Sequence, residues 1–124
     1  MSIYSTGANA DTVNGAGGTI ILTNSPATVN GSNDTFYFAG NDSATVSGGA
    51  ENFDFGAIFG QSSIAGFDST DVIQFSKSDF QDFQDLQSHI QQPGTSTTIT
   101  LNSNTLTLTN VNANSLTTSE FRFV

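Results

Sequence analysis

One four-residue pattern recurs four times within the first 66 residues, and it constrains the fold more than any other feature of the chain. Each copy consists of Thr or Ser, then Val or Ile, then a small or polar residue, then Gly. The apolar residues of successive copies are 16, 17 and 18 residues apart. Internal repeats of this length are typical of solenoid proteins, in which every repeat packs only on its neighbours. The apolar positions are Val13, Val29, Val46 and Ile64.

A second apolar segment follows each copy. An apolar–x–apolar pair begins seven residues after each of the first three apolar positions and nine residues after the fourth. Such alternation indicates a short strand with one buried face, and the intervening Gly permits the positive φ of a tight corner. Two strands per repeat predict one coil of a flattened parallel solenoid with stacked apolar columns, and an antiparallel meander is the alternative. The pairs are Ile20/Leu22, Phe36/Phe38, Phe53/Phe55 and Ile73/Phe75.

Acidic residues gather at the corners of these predicted coils. The chain has 11 acidic residues against two basic ones, and nine of the acids lie between Asp34 and Asp85. Corners of successive coils stack about 4.8 Å apart, so their carboxylates repel one another and either raise their pKa values or bind a cation. Calcium suits such a site because it accepts a flexible shell of oxygen ligands. The alternative is that Asp and Asn are ordinary turn residues. The candidate ligands on one edge are Asn33, Asp34, Glu51 and, at the fourth corner, Asp68 or Asp71; Asp42 is the candidate on the other edge.

Several function classes are excluded by composition. A net charge of −9 opposes binding to nucleic acids and to anionic membranes. No apolar run approaches the length of about 20 residues that a membrane-spanning helix needs. The single histidine, His89, has no second His or Cys with which to hold zinc. Glu51 and Asp54 are the one conceivable catalytic pair, and edge carboxylates on a solenoid have no cleft, so we expect no enzyme.

The C-terminal part is expected to cover the end of the solenoid. Ser76–Asp79 forms a capping box that predicts a helix over 76–92, with His89 on its water-facing side. Pro93 and Gly94 end this helix. The apolar stripe predicted to face the core consists of Phe80, Phe83, Leu86 and Ile90.

Residues 95–124 are predicted to form a β-hairpin and a last strand. Thr98–Leu101 and Thr105–Thr109 alternate strictly, which places their aliphatic residues inward and their threonines outward. Regular threonine surfaces on solenoids can bind ice, but this one occupies a single hairpin. Ordinary β-propensity with a polar outer face is the favoured interpretation.

The corner and closing segments resemble one protein family. Gly31–Phe36 and Gly40–Asp42 are similar to parts of the Gly-Gly-x-Gly-x-Asp repeat of the RTX, or hemolysin-type calcium-binding, proteins. Ile64–Phe75 resembles the segment that closes RTX domains, and Glu120–Val124 is similar to type I export signals. The resemblance implies calcium held between coils, no N-terminal signal peptide, and export from a Gram-negative bacterium through type I secretion machinery that reads the C-terminus.

These observations combine into one prediction. The chain is expected to be a single all-β domain over 1–124, a right-handed parallel β-solenoid (β-roll-like) of about four coils. An N-terminal segment (1–11) precedes the coils (12–75), which the predicted helix (76–92) and hairpin (95–124) cap. The function expected is a secreted, calcium-responsive secretion and folding module. The alternative is a metal-independent extracellular structural or adhesive protein that self-associates through its solenoid ends.

Overall fold

A computed structural model describes residues 2–6, 11–14, 16–24, 26–38, 40–55 and 60–124. Within these ranges the regular secondary structure is almost entirely β-strand, with one short α-helix and two 3-10 helices. The strands are β1 Ser2–Thr6, β2 Asp11–Asn14, β3 Thr19–Thr23, β4 Pro26–Asn30, β5 Thr35–Phe38, β6 Ser43–Ser47, β7 Asn52–Phe55, β8 Gln61–Ala65, β9 Val72–Phe75, β10 Ile90–Gln91, β11 Thr97–Leu101, β12 Asn104–Thr109 and β13 Phe121–Phe123, with the helix α1 at Phe83–Gln87.

The first nine strands alternate between two sheets. One sheet has the order β1-β3-β5-β7-β9-β13 and the other has the order β10-β11-β12-β8-β6-β4-β2. All neighbours among the first nine strands pair in parallel. This arrangement confirms the predicted all-β parallel solenoid and excludes the antiparallel meander. The solenoid has about three turns, slightly fewer than the four coils predicted from the sequence.

The core consists of columns of apolar side chains between the sheets. Ile20, Phe36, Phe53 and Ile73 stand opposite one another in register, as predicted. The rings of Phe36 and Phe53 stack with centroids 4.9 Å apart. In the adjacent column the rings of Phe38 and Phe55 lie 4.5 Å apart, and those of Phe55 and Phe75 lie 5.5 Å apart. Aromatic stacking adds to the hydrophobic stabilisation of these columns.

One predicted column is wrong at its last position. Val13, Val29 and Val46 are in register, but Ile64 stands opposite Ala44 instead of Val46. The fourth repeat is longer than the others, and its turn at Gly66 brings the backbone against the carbonyl of Val46. A Cβ at Gly66 would lie 2.1 Å from that oxygen. The extra residues therefore shift the register by two, which keeps the same side chains facing inward.

The predicted helix is much shorter than expected. It spans only Phe83–Gln87 and is N-capped by Asp82, whose side chain accepts the backbone N–H of Asp85. Ile90–Gln91 forms β10 instead, because it pairs with β11. This pairing satisfies backbone groups that a longer helix would have satisfied internally. The predicted apolar stripe still packs against the core: Phe80 and Leu86 are buried, and Phe83 and Ile90 are half-buried.

The position predicted for His89 is also wrong. Its side chain is half-buried instead of facing water. Its Nδ1 lies 2.9 Å from the carbonyl oxygen of Thr100, and its ring meets that of Phe80 edge-on at 5.2 Å. The shortened helix explains the difference, because His89 follows the helix and adjoins a strand.

The hairpin forms as predicted and also extends a sheet. Strands β11 and β12 pair antiparallel, with Ile99, Leu106 and Leu108 fully buried. Strand β12 pairs in parallel with β8, so the hairpin continues the seven-stranded sheet of the solenoid. Its threonines are therefore part of a surface that also includes the coils. No helix in the described ranges has the length and apolarity needed to cross a membrane.

Candidate functional site

Three acidic residues stand one above the next along one edge of the solenoid. Asp34, Glu51 and Asp71 each directly precede a strand of the six-stranded sheet. The first residues of those strands pair in register, which brings the three acids to equivalent places in successive coils. We call these three residues the carboxylate column. Adjacent strands are about 4.8 Å apart, so the column holds acidic groups at the separation of stacked coils.

Each side chain of the column accepts a backbone N–H from the preceding coil. The N–H of Gly18 donates to Asp34 Oδ1 at 2.7 Å, and the N–H of Asp34 donates to Glu51 Oε2 at 3.0 Å. The N–H of Glu51 donates to Asp71 Oδ1 at 2.8 Å. The N–H of Asp68 donates to the second oxygen of Asp71 at 2.9 Å. The acids therefore satisfy corner N–H groups that the sheet cannot reach.

Burial is nearly complete for the column. Asp34, Glu51 and Asp71 each expose only 1% of their surface. Asp34 Oδ2 and Glu51 Oε1 are buried and have no hydrogen-bond partner among the described residues. A buried carboxylate oxygen without a partner costs free energy, and a proton or a cation would remove that cost. The column thus has two acceptor oxygens that its hydrogen bonds to backbone N–H groups leave available for a ligand.

The pKa values of two of these acids reflect this environment. The pKa of Glu51 is raised from 4.5 to about 7, chiefly by burial; the hydrogen bond from the N–H of Asp34 lowers it, and the charges of Asp34, Asp71 and Asp68 also contribute to raising it. Burial likewise raises the pKa of Asp71, with smaller contributions from the charges of Asp68 and Glu120. Near neutral pH the folded protein therefore holds negative charge at the column at a free-energy cost.

The other sequence-predicted ligands lie outside the column. Asp68 is exposed beside Asp71, and its carboxylate accepts the N–H of Thr70 at 2.8 Å. Asn33 is an exposed turn residue with φ of 61°, and its N–H donates to the carbonyl of Gly49. Asp42 is buried on the opposite edge. Of the two residues considered for the fourth corner, the structure places Asp71 in the column and Asp68 at its rim.

Glu120 is an acidic neighbour that the sequence did not reveal. It is buried, and its carboxylate accepts the N–H of Thr117 at 2.9 Å, which closes a capping box. Its charge contributes to raising the pKa of Asp71. The sequence signal was the Thr-x-x-Glu spacing of Thr117 and Glu120, which indicates a capped turn but not where the turn lies.

The opposite edge performs the same structural task with neutral side chains. Asn24 Oδ1 accepts the N–H of Asn41 at 3.0 Å, and Asn41 Oδ1 accepts the N–H of Gln61 at 2.8 Å. Asn104 Oδ1 accepts the N–H of Gly60 at 3.0 Å. Because amide oxygens suffice to bind corner N–H groups, the negative charge of the carboxylate column is not required for that purpose. The charge points to a second role.

The column supplies only part of the oxygen ligand shell that a cation such as calcium needs. Among the described residues, no three His, Cys, Asp or Glu side chains converge closely enough to hold a metal ion by themselves. The two unpartnered oxygens are hard acceptors of the kind that calcium prefers. An ion there would need backbone carbonyls and water to complete its shell. Asp34 and Glu51 are therefore the residues that would hold such an ion, and main chain and solvent would have to supply its remaining ligands.

The conceivable catalytic pair is not assembled into a cleft. Glu51 belongs to the corner, whereas Asp54 lies on β7 beside Gln74 and Arg122. Burial raises the pKa of Asp54, while the hydrogen bond with Gln74 and the charge of Arg122 lower it. No pocket is present in the part of the chain that the structure describes.

Comparisons with known proteins place the fold but not a family. No family model matches the chain, and no curated protein matches its sequence. One similar solved structure is the extracellular lipase LipA from Serratia marcescens, with a TM-score of 0.67 and 18% sequence identity. The match covers 98% of this chain and 21% of the lipase, so this chain spans about a fifth of that protein. At this identity the likeness shows a shared fold.

Proposed function

We propose that the chain is an exported RTX-type β-solenoid module whose folding responds to calcium through the carboxylate column. The observation that carries the proposal is a pair of buried oxygens, Asp34 Oδ2 and Glu51 Oε1, that have no hydrogen-bond partner within the described ranges. The proposal assigns no reaction to the chain.

Calcium would act as a folding ligand. It would neutralise Asp34 and Glu51, whose charges repel in the folded state and separate in the unfolded chain. Extracellular calcium modules have dissociation constants of about 10⁻⁴–10⁻³ M. Calcium at about 10 mM would then stabilise the fold by roughly 1.4–2.7 kcal/mol. In a compartment with little calcium, the repulsion would favour the unfolded chain.

The C-terminus supports a link between folding and export. In the folded protein, Phe121–Phe123 pairs with β9, and the carbonyl of Val124 accepts the N–H of Lys77 at 2.8 Å. A tail held in this way is not free to bind another protein. We therefore propose that type I secretion machinery reads Glu120–Val124 before the chain folds, and that folding follows outside the cell. The extracellular lipase with a similar fold agrees with a secreted location.

The proposal is tested by thermal unfolding of the full chain, followed by circular dichroism, in EDTA and then in about 10 mM calcium or magnesium. We expect calcium to raise the midpoint by several degrees and magnesium to raise it less, because magnesium demands stricter geometry. The double variant Asp34→Asn/Glu51→Gln keeps the hydrogen-bond acceptors of the column and should lose most of the calcium effect.

Asp42→Asn is the matched control, since it removes one buried acid from the opposite edge. If it abolishes the calcium effect and the double variant does not, the ion binds elsewhere. Equal midpoints in EDTA and calcium for the parent protein would refute the calcium response altogether.

A second candidate function is metal-independent self-association through the solenoid ends. Strands β1 and β2 end their sheets and have no partner on their outer side among the described residues. Free edge strands can pair with another copy. Sedimentation over a wide range of protein concentration, in EDTA, tests this candidate. A single monomeric species throughout would exclude it.

A further inference from the structure

The outer face of the seven-stranded sheet carries two parallel rows in which all but one residue of each row, Ala65 and Pro26, has a hydroxyl side chain. Strand pairing sets both rows, and every residue in them is exposed or half-buried. We call this surface the hydroxyl face. One row is Thr12, Thr28, Thr45, Ala65 and Thr109. The other row is Pro26, Ser43, Ser63, Thr107 and Thr98.

The rows form a regular two-dimensional grid. Neighbouring strands are about 4.8 Å apart, and alternate residues on one strand are about 6.6 Å apart. A third row beside them is fixed by its own hydrogen bonds. Asn30 Nδ2 donates to Asn14 Oδ1 at 2.8 Å, and Ser47 Oγ donates to Asn30 Oδ1 at 2.8 Å. These bonds hold the side chains of the third row in fixed positions before a partner binds, which reduces the conformational entropy that this row loses on binding.

The hydroxyl face is electrically neutral. The chain has a net charge of −9, yet the described side chains of this face include no acidic or basic residue. The opposite sheet differs, because Asp54 and Arg122 lie on its outer side. A neutral face on a strongly acidic protein is complementary to an uncharged partner that repeats in two dimensions.

The face also lacks large apolar anchors. The exposed large hydrophobic residues of the described ranges are Tyr37 and Val124, on the opposite sheet and at the C-terminus. Protein interfaces depend on buried aromatic or Arg anchors. Flat ligands such as sugar rings stack on the faces of aromatic side chains. The absence of such anchors from the described part of this face disfavours a protein or a polysaccharide partner.

We propose that the hydroxyl face binds ice. An ice surface is uncharged, repeats in two dimensions and offers hydrogen-bonding groups throughout, which matches the properties of the face. Threonine presents a hydroxyl that bonds to water and a methyl group beside it that excludes water. The grid spans five strands in each row, so many weak contacts act together. This inference does not depend on calcium binding at the opposite edge.

The test measures thermal hysteresis and the partitioning of the full chain into a slowly growing ice crystal, under conditions in which circular dichroism shows a folded protein. We expect the parent protein to widen the gap between melting and freezing and to be retained in the ice. Thr45→Lys places a charge in the centre of the face and should abolish both effects. Tyr37→Lys introduces the same charge on the opposite sheet, where the side chain is 42% exposed, and should leave both effects intact.

Three results would overturn the inference. One is that the folded parent protein is excluded from ice and shows no hysteresis. Another is that Thr45→Lys and Tyr37→Lys behave alike while both remain folded. The third is binding to crystalline cellulose or chitin without binding to ice, which would assign the face to a polysaccharide.

Discussion

Replacing Glu51 by Gln should stabilise the protein at neutral pH in the absence of calcium. Glu51 is 1% exposed, its Oε2 accepts the N–H of Asp34, and its Oε1 has no hydrogen-bond partner in the part of the chain that the structure describes. Gln has the same shape and keeps one oxygen as an acceptor for that N–H, so the substitution removes the charge without creating a cavity. The charge is costly because burial raises the pKa of Glu51 from 4.5 to about 7.

The magnitude follows from the pKa difference of about 2.5. Each pKa unit corresponds to about 1.4 kcal/mol, so ionising Glu51 in the folded state costs at most about 3.5 kcal/mol. Solvent and protein relaxation at the edge of the solenoid reduce this figure, and we expect at least about 1 kcal/mol. The folded state binds the proton more tightly than the unfolded state. The contribution of Glu51 to stability is therefore full below pH 4.5 and is lost as the pH rises to about 7.

The assay is urea unfolding in EDTA from pH 4 to pH 8. The difference in unfolding free energy between Glu51→Gln and the parent protein should grow in favour of the variant between pH 4.5 and pH 7, and then become constant. Any fixed effect of the amide adds a constant to this difference and does not alter its change with pH. Asp82→Asn is the control, since Asp82 is exposed and Asn caps a helix equally well. A difference that does not change with pH would refute the assigned burial cost.

Three further substitutions test the packing. Phe53→Ala removes a fully buried ring from the centre of a column and should cost about 3–5 kcal/mol in urea unfolding, whereas Phe53→Leu should cost markedly less. Gly48→Ala should prevent folding as judged by circular dichroism, because φ is 122° and a Cβ would lie 1.6 Å from the carbonyl oxygen of Gly31. Gly94→Ala is the control and should be tolerated, because a Cβ there meets nothing within 4 Å. Thr97→Val removes the 2.6 Å hydrogen bond to the buried carbonyl of Val111 and should lower the unfolding free energy by about 1–3 kcal/mol. An unchanged unfolding free energy would mean that this carbonyl finds another donor.

The coils could be predicted because their information is local and repeated. Phe36, Phe53 and their neighbours recur at nearly constant spacing, and that spacing alone sets the alternation of two sheets. The carboxylate column followed from the same spacing, because Asp34 and Glu51 precede equivalent strands. The sequence could not decide between Asp68 and Asp71, since the choice depends on the shape of a turn.

The remaining features depend on contacts between distant residues. Ile64 pairs with Ala44 instead of Val46, and Gly66 lies against the carbonyl of Val46. This register depends on the longer fourth repeat. The helix was predicted from local propensity, and pairing of Ile90–Gln91 with β11 overrode that propensity at its C-terminal end. The hydroxyl face was missed because its threonines are divided between the coils and a hairpin more than 30 residues away. Only the pairing of β12 with β8 joins them.

The hydrogen bonds at the two edges of the solenoid run in opposite directions along the chain. In the carboxylate column the side chain of a later coil binds the backbone of an earlier one, as Glu51 binds the N–H of Asp34. On the asparagine edge the earlier coil supplies the side chain, as Asn24 binds the N–H of Asn41. An interior coil is thus secured by both of its neighbours. Removing the acid of an interior coil would therefore weaken its attachment to the coil before it, whereas removing its asparagine would weaken its attachment to the coil after it.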